Sequence, residues 1–213
     1  MRLTVLTRPA LKSARKAKGD GWLRRAEILA AAERIFVRDG YEGATIRKIA
    51  DEVGVSSTAL YVHFRDKSEM LFEICECAFA RMEAANVAVS ADTTDPLERV
   101  RRMLDAYLDF ALANPNAYWL VFNGGPGSAM DEHKKEAANH LGKQCYARFE
   151  AAFIDLAGAE RLRAAPEVAC QAMWASVHGL ASLLISKSEF PWADKAVLRR
   201  ALVDGMFDGL VRS

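Results

Sequence analysis

An all-α fold of about nine helices, divided between a small N-terminal unit and a larger C-terminal one, follows from three observations on this 213-residue chain. Apolar residues recur at helical spacing from Ala26 onward, and no strand-like alternation of useful length interrupts them. Pro96, Pro115 and Pro166 stand where periodic segments begin, the position at which a missing N–H costs a helix nothing. With 51% hydrophobic residues, the length suffices for one small domain plus a larger core. The expected division is a basic, disordered arm over 1–19, a helix-turn-helix domain over 20–67 and a second helical domain over 68–213.

The first helix is alanine-rich, AEILAAAERIF, with Ile28, Leu29, Ala32, Ile35 and Phe36 forming an apolar stripe before Gly40-Tyr41. In the next segment, TIRKIADEV, Thr45 is an N-cap and Ile46, Ile49, Ala50 and Val53 share one face, leaving Arg47 and Lys48 outward. Gly54 falls where that helix must end, because only a residue without a side chain enters the left-handed conformation without a clash. Ser56 caps a third helix whose buried side is expected to hold Ala59, Leu60 and Phe64, and whose open side shows Ser57, Thr58, Tyr61 and His63. The small Ala50, four residues before Gly54, lets two helices cross closely. This is helix-turn-helix spacing, in which the first helix lies across a phosphate backbone and the start of the second enters the major groove.

The remaining elements follow from caps and breakers. Asp66 and Glu69 open a fourth helix expected to run to Val87, with Leu71, Ile74, Cys75, Ala78 and Met82 facing a core. After a break at Ser90–Thr94, Asp95-Pro96-Leu97-Glu98 combines an N-cap, a first-position proline and a capping glutamate, so a fifth helix runs to Asn114. Pro115 starts a short aromatic helix, NAYWLVF, and Asn123-Gly124-Gly125-Pro126-Gly127 is a loop before Ser128 opens a long helix ending near Ala157. Pro166 opens a helix with apolar or small residues around most of its circumference, and Lys195 to Val211 forms the last.

The run Leu60-Tyr61-Val62-His63-Phe64-Arg65-Asp66-Lys67, joined to the alanine-glycine turn and the preceding helix, strongly resembles the N-terminal domain of TetR-type transcriptional regulators. The matching block spans about residues 22 to 70. The resemblance implies that Arg47, Ser57 and Thr58 meet base edges, an arginine there being able to hold guanine in a bidentate contact. It implies phosphate contacts for Thr45, Tyr61, His63 and Lys67. Ala59 departs from the threonine of some relatives and brings only a methyl group.

The resemblance also implies a homodimer, a double-stranded DNA operator and a small-molecule effector. Such regulators build a four-helix dimer bundle from their last two helices, here expected to use Ala175, Gly179, Leu183, Leu202, Met206, Phe207 and Leu210. Trp174 with His178-Gly179 resembles a C-terminal motif of one TetR-type subgroup. Tyr107, Phe110, Tyr118, Trp119, Phe122, Phe149, Phe153, Trp174 and His178 fall on helices that surround a ligand cavity in the family, although aromatics at helical spacing also build plain cores. The Gly124 to Gly127 loop could admit a ligand. The function implied is a ligand-released repressor; an architectural or cell-division DNA-binding protein of the same fold, and an all-helical enzyme, are the alternatives.

Charge and cysteine usage bear on these alternatives. Residues 1–67 hold 14 Lys and Arg against 8 Asp and Glu, while the rest holds 15 against 20, so a net charge of +1 hides a basic excess at one end. Cys75, Cys77, Cys145 and Cys170 have no metal-ligand spacing and read as reduced packing residues, a redox sensor being the sharper alternative. His133, Glu136 and His140 share a helix face that reads as solvated surface rather than a metal site. No catalytic residue set, metal site or cofactor is expected. The N-terminus is not a secretory signal and no eighteen-residue apolar run occurs, so cytoplasmic placement with no membrane partner is expected.

Overall fold

The computed structural model describes residues 21–123 and 130–212, which form nine helices and no strand beyond an isolated Leu162–Val211 bridge. The basic arm and the Gly124 to Gly127 loop with Ser128 lie outside the described residues. The helices are α1 (Gly21–Gly43), α2 (Ile46–Val53), α3 (Ser57–Tyr61), α4 (Lys67–Asp92), α5 (Pro96–Ala113), α6 (Pro115–Phe122), α7 (Glu132–Gly158), α8 (Pro166–Ser186) and α9 (Lys195–Leu210).

Local chemistry sets most boundaries. Thr45 Oγ1 accepts from Lys48 N, Ser56 Oγ from Ala59 N, and the Asp66 carboxylate from Glu69 N, each cap contributing about 1 kcal/mol. Gly40 breaks α1 internally with φ 72°, and Gly54 closes α2 with φ 74° and ψ 35°. At Gly54 the amide reaches back to Ala50 and Asp51 carbonyls, which satisfies two acceptors the helix end would otherwise leave open.

Three expectations are corrected. The fourth helix does not stop at Val87 but continues through Ser90 to Asp92. Its buried face extends through Met82, Asn86 and Val89, and the Ser90 hydroxyl donates to the Asn86 carbonyl inside the helix instead of breaking it. The seventh helix starts at Glu132, where the Asp131 carboxylate accepts from Lys134 N, rather than at Ser128. Ala59 is exposed, not buried: it sits about 100° round a short helix from Leu60, which with Phe64 supplies the buried side.

Two layers of packing follow. In the first, α1 covers α2, and Ile28, Ala32, Ile35, Ile49, Leu60 and Phe64 make a continuous apolar core. In the second, α4 packs on α5 and α7, while α8 lies against α5, α7 and α9. The two layers meet where α1 touches α4 and α6. By length and composition, α8 is the one helix among the described residues able to cross a membrane. Here Ala169, Cys170, Met173, Val177 and Ala181 of α8 are buried against neighbouring helices of its own chain.

Candidate nucleic-acid interface and effector cavity

The reading head is held by polar contacts that leave its outer face open. Arg25 of α1 stacks its guanidinium 4.0 Å from the Phe64 ring centroid. It also donates to the His63 carbonyl and pairs with Glu73 of α4, so the end of α3 is pinned between two longer helices. Lys48 donates to Asp39 at 2.7 Å and to the Gly43 carbonyl at 2.8 Å, tying α2 to α1. Arg38 and Lys48 beside Asp39 hold its carboxyl well below the usual range. Arg34 adds a pair with Glu52 at 2.9 Å.

With those cations engaged, the side chains expected at DNA separate into clear classes. Arg47 is 86% exposed and touches only Asp51, at 3.8 Å, so its guanidinium can turn outward at small cost. Thr58, Tyr61 and Thr45 are exposed, and Ser57 and His63 are half-buried. Thr45 uses an oxygen lone pair for capping and keeps its O–H as a donor. Lys67 differs from a free surface lysine: Nζ donates to the Tyr41 and Ala44 carbonyls at 2.8 and 2.9 Å and lies 4.3 Å from the Tyr41 ring centroid. Two of its three N–H donors are used by these carbonyls. Arg65, which the motif alone did not single out, is 85% exposed beside Glu69 and projects from the same turn.

A second concavity lies in the larger layer. Helices α4 to α8 enclose a cavity of about 890 Å³, within the size range of small-molecule sites. Tyr107, Phe122, Phe149 and Trp174 line it as expected. Phe110, Tyr118, Trp119, Phe153 and His178 do not line it. Phe153 and Tyr118 are fully buried, and Phe110 is buried in the α5 core. Phe153 stacks edge-on against Phe149, at 5.0 Å between centroids, one helical turn beyond the cavity wall. Trp119 is half-buried away from the cavity. Spacing put these rings on the right helices but could not tell wall from filling.

His178 stands one layer behind the wall. Tyr118 Oη lies 2.7 Å and Tyr107 Oη 2.9 Å from its Nδ1, and Tyr118 also donates to the His178 carbonyl at 3.2 Å. Tyr107, Tyr118 and the imidazole thus form one polar network, in which the donor and acceptor roles at Nδ1 follow the tautomer of His178. Burial lowers the pKa of this imidazole.

Other wall residues were missed: Phe79, Met82 and Asn86 on α4, Met103 on α5, and Tyr146 on α7. One signal was present, since Gly142 gives Phe79 room to cross; a Cβ there would stand 3.2 Å from its ring. The thiols behave as packing groups, burial pushing Cys75 up to about 12 and Cys145 and Cys170 up to about 11. Among the described residues no group of three or more His, Cys, Asp or Glu could hold a metal.

The dimer residues also divide. Phe207 is buried within its own chain, with the Arg101 guanidinium 4.5 Å from its ring centroid, and so belongs to the protomer core. Leu202, Met206 and Leu210 are half-buried against that core, and Gly179 is half-buried. Ala175 and Leu183 are exposed, in line with Val168 and Ala172 on α8 and beside Val197, Ala201 and Gly205 on α9.

Comparison with known proteins agrees with this geometry. The sequence is 33% identical over 99 residues to the transcriptional activator FasR of Mycolicibacterium smegmatis, covering 46% of this chain and 45% of that protein. It is 40% identical over 82 residues to the transcriptional repressor AcnR of Corynebacterium diphtheriae, covering 38% of this chain and 40% of that protein. The chain thus spans less than half the length of these curated relatives. The fold matches the TetR family regulator PfmR of Thermus thermophilus with a TM-score of 0.74 at 24% identity, over 87% of this chain and 99% of that one. It matches the ketosteroid transcriptional regulator KstR2 of Mycobacterium tuberculosis with a TM-score of 0.76 at 18% identity, over 89% and 96%. Residues 28–74 match the family of bacterial regulatory proteins described as tetR, and residues 100–208, just over half of the chain, match the tetracyclin repressor-like C-terminal domain; the chain belongs to the TetR family.

Proposed function

We propose that this chain is a homodimeric, cytoplasmic transcriptional repressor that binds a near-palindromic DNA operator and releases it when a small apolar or aromatic effector occupies the C-terminal cavity. The observation that carries the DNA half is the α3 face: Thr58 and Tyr61 are exposed while Leu60 and Phe64 lock the helix from behind. A polar outer face on a rigidly seated short helix suits insertion into a major groove. Residues 20–67 form the DNA-binding domain and 68–213 the effector and dimerisation domain. Arg47, Ser57 and Thr58 read bases; Thr45, Tyr61, His63, Lys67 and Arg65 hold phosphate.

The exposed small and apolar stripe on α8 and α9 supports pairing with a second copy, which a two-fold operator requires. Effector control works by population shift: a ligand that prefers one arrangement of the cavity helices changes the separation of the two recognition helices. Two contacts support such coupling. Lys134, at the start of cavity helix α7, donates to Ser68 at 3.2 Å and lies 3.8 Å from Asp66, at the start of α4. Val121 and Phe122 of the cavity wall sit on α6, which packs on α1. One named relative is an activator and another a repressor, so the sign of regulation is read by transcription from the selected operator in vitro.

Fluorescence anisotropy with the dimer and selected DNA tests the assignment. Arg47→Ala should relax operator preference, whereas Lys67→Ala should weaken all sequences and reduce the salt slope by about one unit. Unchanged binding in both variants would reject it.

A further inference from the structure

The effector cavity contains one polar group whose surroundings specify the chemistry of its occupant. Asn86 is the only buried polar or charged residue among those described, at 8% exposure, and it lines the cavity from the middle of α4. Its main-chain carbonyl accepts from the Ser90 hydroxyl, but its side-chain amide has no hydrogen-bonding partner among the described residues. Its amide atoms are not among the fully buried unpaired atoms of the described residues, so the amide opens onto the cavity and its hydrogen-bonding capacity is met by whatever fills that space. The Tyr146 hydroxyl, also in the wall, is buried without a hydrogen bond of ordinary geometry; Cys170 and Gln171 are its polar neighbours.

Most of the remaining wall is uncharged. Phe79, Met103, Phe122 and Trp174 are apolar, and the wall thiols of Cys75 and Cys145 stay protonated at neutral pH. The wall holds two charged side chains, exposed Lys143 and half-buried Glu150, both on α7 and of opposite sign. An exposed lysine needs no anion to satisfy it, because water already does; Asn86, at 8% exposure, is the less hydrated of the two residues.

Resting on the effector-cavity reading above, we infer that the site takes a neutral, largely apolar molecule bearing a carbonyl or hydroxyl group, and that this group pairs with the Asn86 amide. An amide supplies both an N–H donor and a C=O acceptor, so it can serve a ketone, an ester or an alcohol. It gives nothing to a plain hydrocarbon, and it does not repay the desolvation of a carboxylate. Asn86 therefore acts as the specificity-determining residue of the cavity.

The test uses full-length dimer and three probes of equal chain length, 2-tridecanone, tridecane and tridecanoate, with quenching of Trp174 fluorescence as the readout and Trp174→Phe as its control. The ketone should bind at least tenfold more tightly than the alkane, and Asn86→Leu should abolish that advantage while leaving alkane affinity equal or improved. Equal ketone binding in wild type and Asn86→Leu, at unchanged thermal stability, overturns the inference but leaves the cavity reading standing. So does preferred binding of tridecanoate that is lost in Lys143→Ala, which would place an anionic ligand at the mouth. Should Asn86→Leu fail to fold, Asn86→Asp keeps the side-chain shape, and it should likewise lose the ketone preference. If none of the three probes quenches Trp174, both the inference and the effector reading of this cavity fall.

Discussion

The reading head and the effector cavity are built on opposite plans. In the head, short helices are fixed by caps, a left-handed glycine and ion pairs, and the side chains proposed to meet DNA are those left over on the outside. In the cavity, five helices contribute to one wall, and aromatic rings of the same kind serve either as wall or as filling. The proposed DNA contacts of the first region therefore come from about twenty consecutive residues. In the second it depends on how distant helices meet, so single residues carry different weights there according to a neighbour many positions away.

The largest effect that could break this contrast is in the core. Phe153 fills space and Phe122 borders it, so Phe153→Ala should cost about 3–5 kcal/mol in urea unfolding and Phe122→Ala clearly less. Equal costs would mean that the wall and the core are not distinct. Next comes Gly54, where a Cβ would meet nothing within 4 Å, so that the penalty is one of backbone conformation alone. Gly54→Ala should destabilise by about 1–2 kcal/mol and Gly54→Asn by less, since asparagine tolerates the left-handed region. If the alanine variant is as stable as wild type, the turn does not depend on this conformation.

Smaller effects sharpen the comparison. Lys67 closes the end of α1 and is proposed to hold phosphate, so Lys67→Ala should lower thermal stability slightly as well as flattening the salt dependence of DNA binding. A variant that changed only stability would confine Lys67 to a structural role. His178 should give the weakest signal. Burial lowers its pKa below 6.5, so the unfolded chain binds a proton more readily than the folded one. Its contribution is present above pH 6.5 and is lost as pH falls through the folded value, and the melting temperature should drop accordingly. His178→Gln should remove that part of the pH dependence; a drop of the same size in the variant would assign it to other groups.

What could be read from the sequence tracks the same divide. Thr45, Gly54, Ser56 and Asp66 announced their roles because capping and left-handed turns are decided within four residues. The extent of α4 is not legible locally because Ser90 looks like a breaker, and only the burial of Asn86 and Val89 overrides that local preference. Phe149 and Phe153 present the same residue type on the same face, and which one borders a cavity depends on where the opposing helices end. Asn86 gave no signal at all, because an asparagine in a helix is ordinary until its burial and its unpaired amide are known.

The basic end also looks different once placed. Of the 14 cations counted over residues 1–67, six lie in the first nineteen residues, and several of the others, Arg25, Arg34, Arg38 and Lys48, hold the head together. Arg47 and Arg65 remain as the exposed guanidiniums of the helix-turn-helix, each with only a loose carboxylate neighbour at 3.8 or 3.5 Å. On the proposed assignment, sequence preference rests on few side chains, chief among them Arg47.

Selection of bound DNA from a random pool, at one stated salt concentration and with wild type and Arg47→Ala in parallel, tests this most directly. Wild type should enrich a near-palindrome with half-sites roughly 10 base pairs apart or a multiple of that, and Arg47→Ala should lose preference at specific positions in both half-sites. No enriched sequence from wild type, or the same sequence at the same strength from the variant, would contradict the account.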